Sequence, residues 1–180
     1  DYRGYAGQVA GGVFHPGDDI VVLPSGLRSK LLSIDTLEGP VTQAFAPMSV
    51  TLRLTDEIDI SRGDMLCVAG SEPTVAQELV ADVCWFADRP LVPGGKYAIK
   101  HTTRAARAVV RSLDYRLNVN TLDHEAADSL AMNEIGRVTI KTTSPLMFDE
   151  YRHNRATGSF ILVDEATNGT AGAGMIAGPA

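Results

Sequence analysis

Tyr151-Arg152-His153-Asn154-Arg155-Ala156-Thr157-Gly158-Ser159-Phe160-Ile161-Leu162-Val163-Asp164, closed by Thr170-Ala171-Gly172-Ala173-Gly174-Met175-Ile176, joins a basic, polar loop to two glycine-marked apolar strands. Gly172-Ala173-Gly174 sits at a strand end with no helix after it and is too short to cradle a phosphate. Its small residues instead allow close backbone approach in a packed strand. The stretch therefore reads as a strand pair inside a β-structure, with Arg152, His153 and Arg155 carried on a loop at its mouth.

Working outward, period-2 alternation dominates, the mark of half-buried strands. In Ser49–Thr55, Val50, Leu52 and Leu54 face one way and Ser49, Thr51, Arg53 and Thr55 the other. Val138 and Ile140 alternate with Arg137, Thr139 and Lys141. In Arg107–Asn118 the alternation puts Val109, Leu113, Tyr115 and Leu117 on one face, with Ser112, Asp114 and Arg116 opposite. Arg104, Arg107 and Arg111 have a helix-like spacing, but Val109-Val110 and the alternation favour a strand. Pro16-Gly17-Asp18 and Pro24-Ser25-Gly26 bracket Ile20–Leu23 as a hairpin; Arg62-Gly63-Asp64 and Pro93-Gly94-Gly95 open further strands. The one helical candidate is Leu122–Met132, with Asp123 as its cap.

Strands recurring every 8–12 residues point to sandwiches or barrels. A polar, turn-prone boundary falls at Gly70-Ser71-Glu72-Pro73, dividing the chain into residues 1–71 and 72–180. The expectation is an all-β chain of two tandem antiparallel β-barrels, packed by a modest interface. Each barrel would close to remove its strand edges.

Composition narrows the function. With 44% hydrophobic and 21% charged residues the chain is an ordinary globular one. A net charge of −6 argues against nucleic-acid and anionic-membrane partners, which reward positive surface. No apolar run approaches a membrane span and no signal peptide opens the chain, so the expected location is the cytoplasm. Cys67 and Cys84 lie in apolar runs and read as buried, reduced thiols. Asp1-Tyr2-Arg3-Gly4-Tyr5 lacks an initiator Met and reads as a cut from a longer polypeptide.

Chemistry is sparse. No phosphate-binding loop appears, and His15, His101, His124 and His153 fall in no ligand spacing. His124 with Asp123, Glu125 and Asp128 reads as a solvated acidic turn. No nucleophile elbow supports a Ser/His/Asp triad. The basic loop is either a solvated loop or a contact surface for an acidic partner or neighbouring domain, with Arg152, His153 and Arg155 as the contact candidates.

Several motifs now carry a resemblance. Arg3-Gly4-Tyr5-Ala6-Gly7-Gln8-Val9, Gly12-Val13-Phe14-x-Pro16-Gly17-Asp18, Val21-Val22-Leu23-Pro24-Ser25-Gly26 and Asp59-Ile60-Ser61-Arg62-Gly63-Asp64-Met65 mark the first half. Lys100-His101-Thr102-Thr103, Asn133-Glu134-Ile135-Gly136, Asn154-Arg155-x-Thr157-Gly158-Ser159-Phe160-Ile161 and Gly172-Ala173-Gly174-Met175-Ile176 mark the second. Across the whole chain these resemble the second and third domains of the GTPase subunit (the large subunit) of bacterial sulfate adenylyltransferase, which is similar to elongation factor Tu and is in some cases fused to adenylylsulfate kinase.

The resemblance implies translation-factor-like barrels: domain 2, N-terminally truncated at Asp1, over 1–71, and domain 3 over 72–180. It implies a parent enzyme in which GTP hydrolysis drives the joining of ATP and sulfate into adenylylsulfate, within sulfate assimilation and cysteine biosynthesis. GTP and magnesium would belong to an absent GTPase domain, leaving no catalytic residue, metal or cofactor site for this fragment. The implied partners are the catalytic small subunit and the chain's own GTPase domain, with no nucleic acid and no membrane. A translation-factor barrel pair binding aminoacyl-tRNA stays open as the alternative, against which the −6 charge weighs.

Overall fold

The computed structural model describes residues 2–180. Among the described residues no helix occurs, and so none long and apolar enough to cross a membrane. Asp1, and with it the expected truncation of the first strand, lies outside the described residues. The fold is all-β, two barrel units in tandem. The first unit ends at Pro73 and the second is Thr74–Ala180.

In the first unit, β1 (Tyr5–Gln8), β2 (Val13–Phe14), β3 (Asp19–Leu23), β4 (Leu27–Thr36), β5 (Gly39–Val41), β6 (Ala44–Phe45), β7 (Ser49–Leu54) and β8 (Met65–Val68) follow one another. Five run in the order β1-β7-β4-β3-β8, β5 adds to β4, and β2 pairs with β6 in a separate ribbon. Alternation decides the faces: Val50, Leu52 and Leu54 are buried, as the sequence pattern requires. The Pro24-Ser25-Gly26 turn joins β3 to β4, with Val22 opposite Leu27 and Gly26 at φ 76°. Glycine carries that positive φ without the Cβ clash other residues would meet. Phe14 and Ala44 from the ribbon join Ile20, Leu31, Ile34 and Leu52 in one core, so the ribbon closes over the larger sheet.

The second unit contains β9 (Thr74–Trp85), β10 (Lys96–His101), β11 (Arg104–Leu117), β12 (His124–Glu125), β13 (Ile135–Phe148), β14 (Ser159–Val163) and β15 (Thr170–Pro179). The order β10-β14-β15-β9-β13-β11 returns to β10 through a β10–β11 pairing, closing a six-stranded antiparallel barrel; β12 extends the end of β11. Closure leaves those six strands with no unpaired edge. Leu79, Ala81, Val83 and Trp85 line the inner face at every second position of β9. The Trp85 indole meets Tyr97 edge-on at 5.2 Å and donates its N–H to the Arg89 carbonyl at 2.8 Å, so its polar atom is satisfied.

β15 permits this packing. A Cβ on Gly172 would lie 2.8 Å from the Trp85 ring, and one on Gly174 would fall inside the Phe160 ring. The small residues of the closing strand are thus room for two aromatic rings.

Three expectations are corrected. On β11 the buried residues are Ala108 and Val110, not Val109. Irregularities between Val110 and Ser112 and between Leu113 and Tyr115 insert extra residues and reverse the facing, so that Leu113 does reach the core. The Leu122–Met132 helix does not form. Leu122 takes φ 65°, His124–Glu125 pairs with β11, and Leu130, fully buried, exchanges two 2.9 Å backbone hydrogen bonds with Leu91. Burial of Leu130 and cross-strand pairing override the helical propensity of Ala126-Ala127, because tertiary context outweighs local preference. Finally, Cys67 is buried but Cys84 is only half-buried, because it occupies the outward position between inward Val83 and Trp85; neither forms a disulfide.

Gly174→Ala is expected to cost about 1–3 kcal/mol through overpacking against Phe160. The urea unfolding midpoint of the chain reads this directly, and an unchanged midpoint would mean the ring has room to retreat.

Candidate functional site

The residues from Asp149 to Gly158 connect β13 to β14, and local hydrogen bonds shape them. His153 and Asn154 both donate their backbone N–H to the Glu150 carbonyl, at 2.9 and 3.0 Å, and Gly158 donates to the Asn154 carbonyl at 2.8 Å. The Asn154 side-chain oxygen accepts the Ala156 N–H at 3.0 Å and the Thr157 N–H at 3.5 Å, an Asx-type turn. The Thr157 hydroxyl donates to Asp149 at 2.6 Å, and the Ser159 hydroxyl to the Arg155 carbonyl at 2.8 Å. At Gly158 a Cβ would strike the Tyr151 backbone and the Asn154 carbonyl. Asn154, Thr157, Gly158 and Ser159, the residues that marked the resemblance, thus fold the loop itself.

Two further ties fasten the loop to the barrel. Ile176 of β15 accepts from the Tyr151 N–H at 2.9 Å and donates to the Gly158 carbonyl at 2.8 Å. His101, 1% exposed at the end of β10, lies 2.6 Å through Nε2 from the Thr157 carbonyl. A carbonyl only accepts, so Nε2 carries the proton and the ring is the Nε2–H tautomer. Nδ1 is buried with no partner. Burial pushes the imidazole below its ordinary 6.5, partly offset by the Thr157 carbonyl.

The three candidate contacts all sit on the outside of this loop and are exposed. Arg152 reaches back to Glu150 at 2.6 Å with its side chain 74% exposed, a geometry that adds little stability. The Arg155 guanidinium lies 5.9 Å from the Tyr151 ring centre. Several other basic residues are engaged in ion pairs with carboxylates. Arg137 forks onto Asp82 at 2.9 and 2.8 Å, Lys141 meets Glu78 at 2.9 Å, and Arg107 meets Glu165 at 2.9 Å. Arg116 bridges Glu125 and Glu134, and its guanidinium, with Asn118, holds the Glu125 carboxyl below the ordinary value.

The four histidines stay apart in role: His15 stands by Asp18, His101 is buried, His124 stacks on Tyr115 at 3.7 Å, and His153 is on the loop. His124 is thereby stacked on an aromatic ring while staying exposed beside Asp123. Among the described residues no group of three His, Cys, Asp or Glu is placed to hold a metal ion. Sequence reading missed the Asp149–Thr157–His101 hydrogen-bond chain. Its one signal, Asn154 three residues before Thr157, is the spacing of an Asx turn. It also missed a cleft of about 300 Å³ beside Trp85 and Tyr97, rimmed by Arg89, Lys96 and Asp164.

The comparisons with known proteins agree with this geometry. The family model described as GTP-eEF1A C-terminal domain-like matches residues 78–177. The chain is 52% identical to the bifunctional enzyme CysN/CysC of Mycobacterium tuberculosis, over 98% of its own length and 29% of that protein's. It is 48% identical to the bifunctional enzyme NodQ of a Rhizobium species and 45% to sulfate adenylyltransferase subunit 1 of Alteromonas mediterranea, again over 98% of the chain. The chain spans only 27% and 37% of those two relatives. Among solved structures, Sup35 complexed with GDP superposes with a TM-score of 0.85 at 15% identity, over 97% of this chain and 45% of that one. At that identity the likeness is one of fold.

Thr157→Val should destabilise the chain by about 1–3 kcal/mol, because it leaves the Asp149 carboxylate without its hydroxyl donor. Chemical denaturation measures the loss, and amide exchange at Ala156 and Gly158 should rise with it. Parental values in both measurements would show that this bond does not hold the loop.

Proposed function

The chain belongs to the GTP-eEF1A C-terminal domain-like family, and from that membership we propose that it is the barrel region of the GTP-hydrolysing subunit of a sulfate adenylyltransferase. In this reading the two units are the second and third domains of an elongation-factor-like GTPase, the matched residues 78–177 lying in the latter. GTP and its magnesium bind a GTPase domain outside this sequence, and this chain performs no chemistry of its own. It relays the nucleotide state to a catalytic small subunit, so that GTP hydrolysis drives adenylylsulfate formation from ATP and sulfate. The setting is the cytoplasm.

One observation carries the reading: identity of 45–52% is sustained over 98% of the chain with relatives named CysN/CysC, NodQ and sulfate adenylyltransferase subunit 1. Likeness to Sup35, at 15% identity, supports the architecture equally well for a translation factor. The charge of −6 disfavours that alternative, because a tRNA-binding surface gains affinity by neutralising phosphates. Arg152, His153 and Arg155 are the contact groups of the proposal. They stand out from a loop ordered before any partner arrives, which limits the entropy lost on docking.

Capture of the chain by immobilised small subunit tests this. The parent chain is expected to be retained, and Arg152→Glu with Arg155→Glu to weaken retention roughly tenfold or more, with a loss of binding at raised salt. A parent chain that is not retained would remove the contact role. Binding to tRNA with a steep salt dependence would favour the translation-factor reading instead.

A further inference from the structure

His101 is a buried titratable side chain that the contact proposal leaves without a task. It ends β10, is 1% exposed, and lies beneath the loop that carries Arg152, His153 and Arg155. Its Nε2–H holds the Thr157 carbonyl at 2.6 Å; the Thr157 hydroxyl in turn holds Asp149 at 2.6 Å. One imidazole therefore clamps the C-terminal limb of the loop, through Thr157, to the limb that leaves β13 at Asp149. Thr157 is itself 3% exposed, so water does not stand in for either bond.

The remaining nitrogen makes the clamp conditional. Nδ1 is buried without an acceptor, and a second proton there would be an unpaired donor on a buried cation. The charged groups around it give that cation no carboxylate partner. On β11 its register partner is Arg104, a cation; on its own strand Lys100 is exposed; on the loop, Asp149 is already occupied by the Thr157 hydroxyl, and Glu150 by Arg152. β14, the other neighbour of β10, pairs with it through Ile161, Leu162 and Val163, none of them titratable.

We propose that His101 is the positioning residue of the contact loop: neutral, it fixes the loop in the form that presents Arg152 and Arg155, and protonated, it lets go. The proposal rests on the contact reading above for what the loop meets, but not for how the loop is held. Burial sets the sign of the pH dependence. The folded-state affinity for the proton lies below the ordinary 6.5. The stabilisation is therefore complete above about pH 6.5 and is lost as pH falls from there through the lower folded value. A pH-sensitive barrel loop in this position would make partner engagement weaken under acid conditions.

Histidine-edited NMR of the chain from about pH 7.5 to pH 5, with loop amide exchange corrected for its intrinsic rate, tests the proposal. Expected are a His101 titration below 6.5 and exchange at Ala156, Thr157 and Gly158 that accelerates roughly tenfold per pH unit as the pH falls from about 6.5 towards the folded value. His101→Gln keeps an N–H for the Thr157 carbonyl without a titratable ring, so its loop should stay ordered across the range. His153→Gln should keep the transition, which separates the buried ring from the exposed one on the loop itself. A His101 that titrates at or above 6.5, a loop unchanged through its titration, or a transition that vanishes in His153→Gln overturns the assignment. The wild-type titration alone decides if His101→Gln does not fold. Small-subunit capture at both pH values keeps the two readings apart: a loop that opens with His101 while capture stays constant defeats the contact reading and leaves the positioning role intact.

Discussion

The second barrel closes because β15 offers no side chain where two aromatic rings need space. Trp85 rises from β9 and Phe160 from β14, the two strands that flank β15, and each ring lies against a glycine of that strand. Full burial of a large apolar side chain such as Phe160 contributes about 1.5–3 kcal/mol. That gain is available here only if the intervening backbone can be approached closely. With Gly172 and Gly174 in place, β15 pairs on both sides and the ring of strands is complete. Farther along the same strand, Ile176 brackets the loop after β13 through its own N–H and carbonyl. Core packing and loop placement are thus set by one strand.

How far this was legible in the sequence depends on what each residue answers to. Val50, Leu52 and Leu54, or Val138 and Ile140, declare their strands because burial on one face imposes period 2. Gly172 and Gly174 hint at close packing, one of the few reasons a strand interior carries glycine. The sequence is silent where a non-local event decides. The irregularities around Arg111 and Asp114 shift facing within β11, and no local pattern marks them. Leu130 looks like a helix position until Leu91, far off in sequence, claims its backbone. The loop residues Asn154, Thr157 and Gly158 were visible as a motif, but their work was not. Thr157 completes its bonds with Asp149 and His101, and the latter is brought in by β10 from far back in the chain.

The distribution of charge follows from register. Asp82 stands directly opposite Arg137 and Glu78 directly opposite Lys141 in the β9–β13 pairing. Opposite charges facing one another across antiparallel strands favour that alignment and penalise a slipped one, which would bring each charge against a different neighbour. Their basic groups are therefore committed to the sheet. The half-buried Arg116 is committed likewise, between Glu125 and Glu134.

The surface proposed to meet a partner is small. Arg152, His153 and Arg155 project from a loop that is braced by both backbone and side-chain hydrogen bonds, and whose floor is a buried imidazole. A flexible cationic loop would attract acidic surfaces without orienting them and would pay its ordering cost on every encounter. A preformed one holds its guanidinium forks in fixed directions, which favours recognition by geometry over recognition by net charge. That distinction suits an acidic chain: with −6 overall, long-range attraction to another acidic surface is unavailable, and short-range, oriented arginine contacts are the means by which such a surface could still be held.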